Sequence, residues 1–122
     1  MYTPTQRDNP DDDPLIGIDL GTTNSCVGLY RKDSKDVVIL ANMIGESTTP
    51  SWIGLTDQDK IVVGRRARNL KNFVYDAKRM IGKAIDSEDI ETMKRGWDFD
   101  VVAGEGNSCE VKMPNKDPVN VE

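Results

Sequence analysis

Residues 15–31 constrain this chain more than any other stretch. They read Leu-Ile-Gly-Ile-Asp-Leu-Gly-Thr-Thr-Asn-Ser-Cys-Val-Gly-Leu-Tyr-Arg. Two short apolar, β-rich runs around a glycine and small hydroxyl residues form a hairpin pattern. Such a turn can aim consecutive backbone N–H groups at one spot and make a nest for an anion such as phosphate. Asp19 stands just before the turn. At its mouth a hard oxygen ligand can hold Mg²⁺, usually through water. Read alone, Gly21 and the two threonines are also consistent with a tight hairpin turn and nothing more.

The rest of the chain reads as an α/β domain. Strands are expected near 15–20 and 26–31, then a polar turn at 32–35 and a third strand over 37–40, which together make an antiparallel meander. A loop over 42–50 leads to two further strands, 51–55 and 60–63. From Gly64 the pattern turns helical, with Val74, Ala77, Met80 and Ile81 at helix spacing. A second helix is expected over about 87–95. Asp86 or Ser87 can cap it, Glu88 and Asp89 suit its positive end, and Lys94 and Arg95 suit its negative end. A strand over 99–102 follows, and 109–113 can return against it. Residues 1–14, with three prolines and an aspartate run, read as a disordered acidic lead-in. Residues 15–122 form one domain or part of one.

Composition narrows the chemistry. The chain has no histidine, and its two cysteines, Cys26 and Cys109, are far apart. A structural zinc site is therefore not expected, and Ser-His-Asp or Cys-His catalysis within the chain is excluded. Cys26 reads as a small buried hydrophobe, and a Cys26–Cys109 disulfide is not expected in a reducing cytosol. The net charge is −5, yet between 60 and 83 the basic residues, Arg65, Arg66, Arg68, Lys71, Lys78 and Arg79 among them, face one acid, Asp76. Most of these read as a solvated helical face, with one or two left for a phosphate. Few aromatics interleave with them, so nucleic-acid binding is not expected. No apolar run is long enough to span a membrane, and the N-terminus lacks the marks of a signal or transit peptide, so the expected location is cytoplasmic.

Five segments in register carry a resemblance. Gly17-Ile18-Asp19-Leu20-Gly21-Thr22-Thr23-Asn24-Ser25-Cys26-Val27 is similar to the opening phosphate-binding segment of the Hsp70 chaperones. Ala41-Asn42 with Gly45, Thr48-Thr49-Pro50-Ser51, Asp76-Ala77-Lys78-Arg79 with Ile81-Gly82, and Trp97-x-Phe99-x-Val101-Val102 follow in the family's order. The resemblance runs from 15 to about 103 and fades beyond. It implies the first lobe of an actin-like ATPase, a mixed sheet that starts with an antiparallel meander and carries helices. It also implies ATP or ADP with Mg²⁺ as ligands. Asp19 would sit near Mg²⁺ through water. Gly21, Thr22, Thr23 and Asn24 would hold the β- and γ-phosphates, and Lys78 would approach the γ-phosphate and orient the attacking water. Thr48, Thr49 and Pro50 read as structural, and Trp97 as a packing residue. In the complete protein, ATP hydrolysis would be coupled to binding and release of unfolded polypeptides, with a J-domain co-chaperone and a nucleotide-exchange factor as partners.

The sequence departs from the family pattern in places. Asn24 stands where many eukaryotic members have Tyr. Met43 and Ser47 replace more polar residues, and Arg65 replaces an acid. The stretch 69–74 is shorter than usual and could shift Lys78. The chain covers only the opening part of such a nucleotide-binding domain, so productive hydrolysis by these residues alone is not expected. Two alternatives stay open: a non-catalytic interaction module derived from such a lobe, and a fragment of a sugar-kinase-like phosphotransferase, since Asp-x-Gly-Thr-Thr occurs there too.

Overall fold

The computed structural model describes residues 14–113 and 117–120, so the expectation for the acidic lead-in falls, apart from Pro14, outside the described residues. Strand β1 (Leu15–Leu20) pairs antiparallel with β2 (Asn24–Arg31), from Leu15 opposite Tyr30 to Leu20 opposite Ser25. β2 pairs in turn with β3 (Asp36–Ile39), completing the meander. The tight connection between β2 and β3 places Lys35 in the left-handed region and ties its N–H to the Arg31 carbonyl at 2.8 Å. β2 starts two residues earlier than expected. A two-residue strand β4 (Thr49–Pro50) pairs with it there, setting Asn24 opposite Pro50 and Ser25 opposite Thr49. Asn24 therefore belongs to a strand, and the turn itself is Gly21–Thr23.

A second sheet has β5 (Ile53–Leu55) between β6 (Ile61–Val63) and β7 (Asn72–Val74), all antiparallel. Here the expectation of a helix from Gly64 is corrected. Residues Gly64–Asn69 form a 3₁₀ turn, 72–74 join the sheet, and a single 3₁₀ turn covers Ala77–Arg79. β5 offers an edge to Asn72, Phe73 and Val74, and aromatic and β-branched residues suit a pleated surface. Asp76 takes a left-handed conformation, φ 57°, and breaks what remained of the helical run.

The third sheet joins β8 (Asp100–Ala103), β9 (Cys109–Lys112) and β10 (Val119–Asn120), again antiparallel. The expected second helix exists as α1 (Glu88–Met93), which passes into a 3₁₀ turn over Lys94–Gly96. Glu88 and Asp89 do occupy its first turn. Ser87 stands at the N-cap without a capping hydrogen bond, and Asp86 accepts from Asn107 Nδ2 at 2.8 Å instead.

The apolar core lies in the second half of the chain. Val74, Met80, Ile85, Ile90, Val101, Cys109, Val111 and Met113 form it, with Ala77, Met93, Trp97 and Phe99 packed against it. Cys109 is the buried thiol, whereas Cys26 is only half-buried, and both are free. Trp97 stacks on Phe99 with ring centroids 5.5 Å apart, as its packing role implied. Phe99 in turn meets Tyr75, Tyr75 meets Phe73, and Phe73 meets Trp52. This row of rings joins the core to the second sheet. The first sheet contrasts with it: every residue of β1 is exposed, Ile18 to 71%. A near-continuous apolar strand of this kind is the pattern of one covered on both faces.

Candidate functional site

The site is built on the Gly21–Thr23 turn. A Cβ at Gly21 would lie 2.2 Å from the Asn24 carbonyl oxygen, so this close approach admits only glycine. Behind the turn stands the segment 48–51. Ser51 N–H donates to the Thr23 carbonyl at 2.9 Å, and Ser51 Oγ donates to the Gly21 carbonyl at 2.7 Å. Ser25 Oγ lies 2.8 Å from Ser51 Oγ.

The segment is held from two further sides. Asn42 Nδ2 donates to the Thr48 carbonyl and to Thr49 Oγ1, both at 3.2 Å. Its Oδ1 accepts from the Ile44 and Glu46 N–H groups at 3.0 Å, which folds the 42–46 loop. Gly64, at φ +77°, would bring a Cβ within 2.9 Å of Thr49 Cγ2. Thr48, Thr49 and Pro50 are structural here, and Ser51, read from sequence as the start of a strand and the end of the Thr48-Thr49-Pro50-Ser51 segment, touches the turn.

Lys78 arrives from the other direction. β7 and the left-handed Asp76 deliver it to the end of β1, where its Nζ donates to the Leu20 carbonyl at 2.5 Å across 58 residues of sequence. Residues 72–74 form β7, and Lys78 reaches the Leu20 carbonyl beside the turn. A cavity of about 360 Å³ lies between the two, lined mainly by apolar groups and including Gly21, Thr22, Ser51, Trp52 and Lys78. The structure thus brings Gly21, Thr22 and Lys78 together. Thr23 and Asn24 are exposed beside them and do not line the cavity, and Asp19 is exposed on β1 opposite Cys26.

Several members of the positive cluster have partners. Arg65 makes two hydrogen bonds to Glu46 Oε1, at 2.8 and 3.1 Å. Arg79 lies 3.7 Å from Asp76, and Arg68 sits 5.9 Å over the Trp52 ring. Lys83 meets Asp89 at 2.8 Å, a hydrogen bond that raises the Lys83 pKa and lowers that of Asp89. Lys78 differs in having a neutral carbonyl as its partner. Exchanging that carbonyl for a phosphate oxygen would add a charge–charge attraction.

These residues fit the phosphate end of a nucleotide: a glycine that leaves room beside backbone, a half-buried threonine and a compact cation. For Mg²⁺ the fit is narrower. Among the described residues no group of three or more acidic or cysteine side chains could hold a metal ion. Asp19 alone suits Mg²⁺ that keeps most of its waters and takes its other oxygens from phosphate.

A meander whose first turn is built on glycine and pinned from behind, followed by small antiparallel sheets and few helices, is the opening part of the first lobe of an actin-like ATPase. The chain belongs to the Hsp70 family, whose model, described as Hsp70 protein, matches residues 15–121. It is 40% identical over 97 residues to the heat shock 70 kDa protein of Emericella nidulans, covering 76% of this chain and 15% of that one. To a ribosome-associated molecular chaperone of Saccharomyces cerevisiae it is 41% identical over 96 residues, covering 75% and 15%. To the heat shock 70 kDa protein cognate 1 of Drosophila simulans it is 37% identical over 97 residues, covering 76% and 44%. The chain thus spans about 15% of the length of the first two relatives. Family membership sets the sugar-kinase alternative aside. No helix among the described residues is long and apolar enough to cross a membrane.

Proposed function

We propose that this chain supplies the phosphate-binding opening of an Hsp70-type chaperone ATPase. The observation that carries the reading is the meeting of Lys78 with the end of β1, immediately before the Gly21–Thr23 turn. In this reading Gly21, Thr22, Thr23 and Asn24 would hold the β-phosphate of ATP or ADP and the γ-phosphate of ATP, and Asp19 would face Mg²⁺ through water. Lys78 leaves the Leu20 carbonyl for the γ-phosphate side and orients the attacking water. Bound Mg²⁺ would neutralise phosphate charge. The residues of this chain position and neutralise, which is most of what phosphoryl transfer asks of a protein.

In the longer protein, hydrolysis would be coupled to binding and release of unfolded polypeptides. A J-domain co-chaperone and a nucleotide-exchange factor would act as partners, in the cytoplasm. The relatives' names, heat shock protein and ribosome-associated molecular chaperone, support that setting. The present chain contributes one wall of the cleft, so its own affinity for Mg-ATP is expected to be weak. The test is a ¹⁵N-resolved titration of the chain with Mg-ATP. Shifts confined to 19–25 and to Lys78, weakened by Thr22→Ala, support the reading. Shifts absent at millimolar nucleotide, or spread over the surface, overturn it.

A further inference from the structure

Ser51 touches the turn twice, and in a specific way. Its main-chain N–H binds the Thr23 carbonyl at 2.9 Å and its hydroxyl binds the Gly21 carbonyl at 2.7 Å. These two carbonyls bracket Thr22. A hydroxyl has one proton, and that of Ser51 is given to Gly21, so the 2.8 Å contact with Ser25 Oγ is one in which Ser25 donates. The result is a relay from Ser25 to Ser51 to Gly21. In a planar trans peptide the C=O and the following N–H point in opposite directions. Drawing the Gly21 carbonyl toward Ser51 therefore turns the Thr22 N–H away from Ser51. Drawing in the Thr23 carbonyl does the same for the Asn24 N–H.

We propose that Ser51 is a positioning residue for the phosphate turn: it takes two of the turn's carbonyls into the protein and so commits the N–H groups that follow them, those of Thr22 and Asn24, to the ligand side. The inference rests on the phosphate reading above and adds to it the device that presets the nest. An anion nest needs its N–H groups aimed at the anion and its carbonyls turned away, because a carbonyl oxygen carries partial negative charge. Ser51 is not a catalytic residue, since it acts through the backbone of Gly21 and Thr23. Its own place is secured by the pairing of β4 with β2 and by the close approach of Gly64 to Thr49. The relay therefore connects the turn to the second sheet, which begins two residues later at Ile53.

The experiment compares the whole chain with Ser51→Ala, Ser51→Thr and Ser25→Ala by ¹⁵N backbone relaxation, then titrates each with Mg²⁺ and sodium tripolyphosphate. Without ligand, the wild-type amides of Gly21, Thr22 and Thr23 are expected at rigid order parameters of about 0.85, falling toward about 0.6 in Ser51→Ala. Ser51→Thr keeps the hydroxyl and is expected to restore rigidity. Ser25→Ala keeps the Ser51 bonds and is expected to loosen the turn less. Tripolyphosphate affinity should drop by roughly fivefold to tenfold in Ser51→Ala and recover in Ser51→Thr. A turn equally rigid in Ser51→Ala and wild type overturns the proposal, whatever tripolyphosphate does. So does a loosening of all of β2 and β3 that threonine does not reverse, which would mark a packing residue. Absence of tripolyphosphate shifts in the wild-type chain overturns the phosphate reading itself, and it is recognised because it occurs with the turn still rigid.

Discussion

Lys78 Nζ donates to the carbonyl oxygen of Leu20 at 2.5 Å, although 58 residues separate them. The bond joins a long exposed side chain to the last residue of β1 and so to the residue before Gly21. The partner of Lys78 is a neutral carbonyl, and an anion in that place would add a charge–charge attraction.

Replacing Lys78 with Met separates the two roles. The bond is exposed, so stability should change by no more than about 1 kcal/mol. Tripolyphosphate affinity should fall by about tenfold, the effect of losing one charge-assisted hydrogen bond. Urea unfolding and an NMR titration measure the two quantities. Equal tripolyphosphate affinity in Lys78→Met would remove Lys78 from the site.

Gly21→Ala should do the reverse and damage the turn directly. Its Cβ would meet the Asn24 carbonyl at 2.2 Å, a contact backbone must move to relieve. A cost of about 1–3 kcal/mol is expected, in line with locally strained backbone. Gly17→Ala, where a Cβ meets nothing within 4 Å, serves as the control. Equal urea midpoints for the two variants would contradict the close approach.

The two thiols should react differently. Cys109 is 1% exposed, and burial, opposed in part by Lys94, raises its pKa above the ordinary 9.0. The folded state therefore favours the neutral thiol. This contribution to stability is complete below about pH 9 and is lost as pH rises through the native pKa of Cys109. With a thiol-exchange reagent at pH 8, Cys26 should react rapidly and Cys109 only after unfolding. Two fast thiols in the native chain would contradict the burial of Cys109.

Core and sheet surface should respond oppositely to truncation. Ile90 is fully buried in the core cluster, and Ile90→Ala should cost about 2–5 kcal/mol. Ile18 is 71% exposed on β1, and Ile18→Ala should stay within about 0.5 kcal/mol. Denaturant unfolding measures both.

The same strand should drive self-association. Leu15, Ile16, Ile18 and Leu20 are all more than half exposed on a strand that pairs on one side only among the described residues. An apolar edge of this kind templates pairing with another chain. Sedimentation should show concentration-dependent assembly that Ile18→Lys reduces. A wild-type monomer at high concentration would contradict this.

Some of this architecture is local, and local structure can be read from order alone. The β1–β2–β3 meander follows from apolar runs separated by turn residues. The acids of the first turn of α1 sit where a helix N-terminus favours them. Gly21 is demanded by the tightness of a turn between two strands. Gly21, Thr22 and Lys78, which the structure brings together, stand in two of the five segments in register.

Other features depended on partners far away in sequence. Residues 64–83 carry helical spacing, yet β5 captures 72–74 and Asp76 reverses the chain, because pairing with an available edge outweighs a weak local preference. Asn24 joins β2 because Pro50 stands opposite it. Arg65 loses its claim on a ligand because Glu46 folds back to meet it. Ser51 gives no sign in sequence of its hold on Gly21, 30 residues earlier. The sequence by itself determined the strands of the first meander, the glycine turn and the identity of the charged groups, since these follow from residue type and nearest neighbours. Only the tertiary structure decided which carbonyls Ser51 and Lys78 would take, because hydrogen bonds across 30 and 58 residues exist only after the sheets have paired.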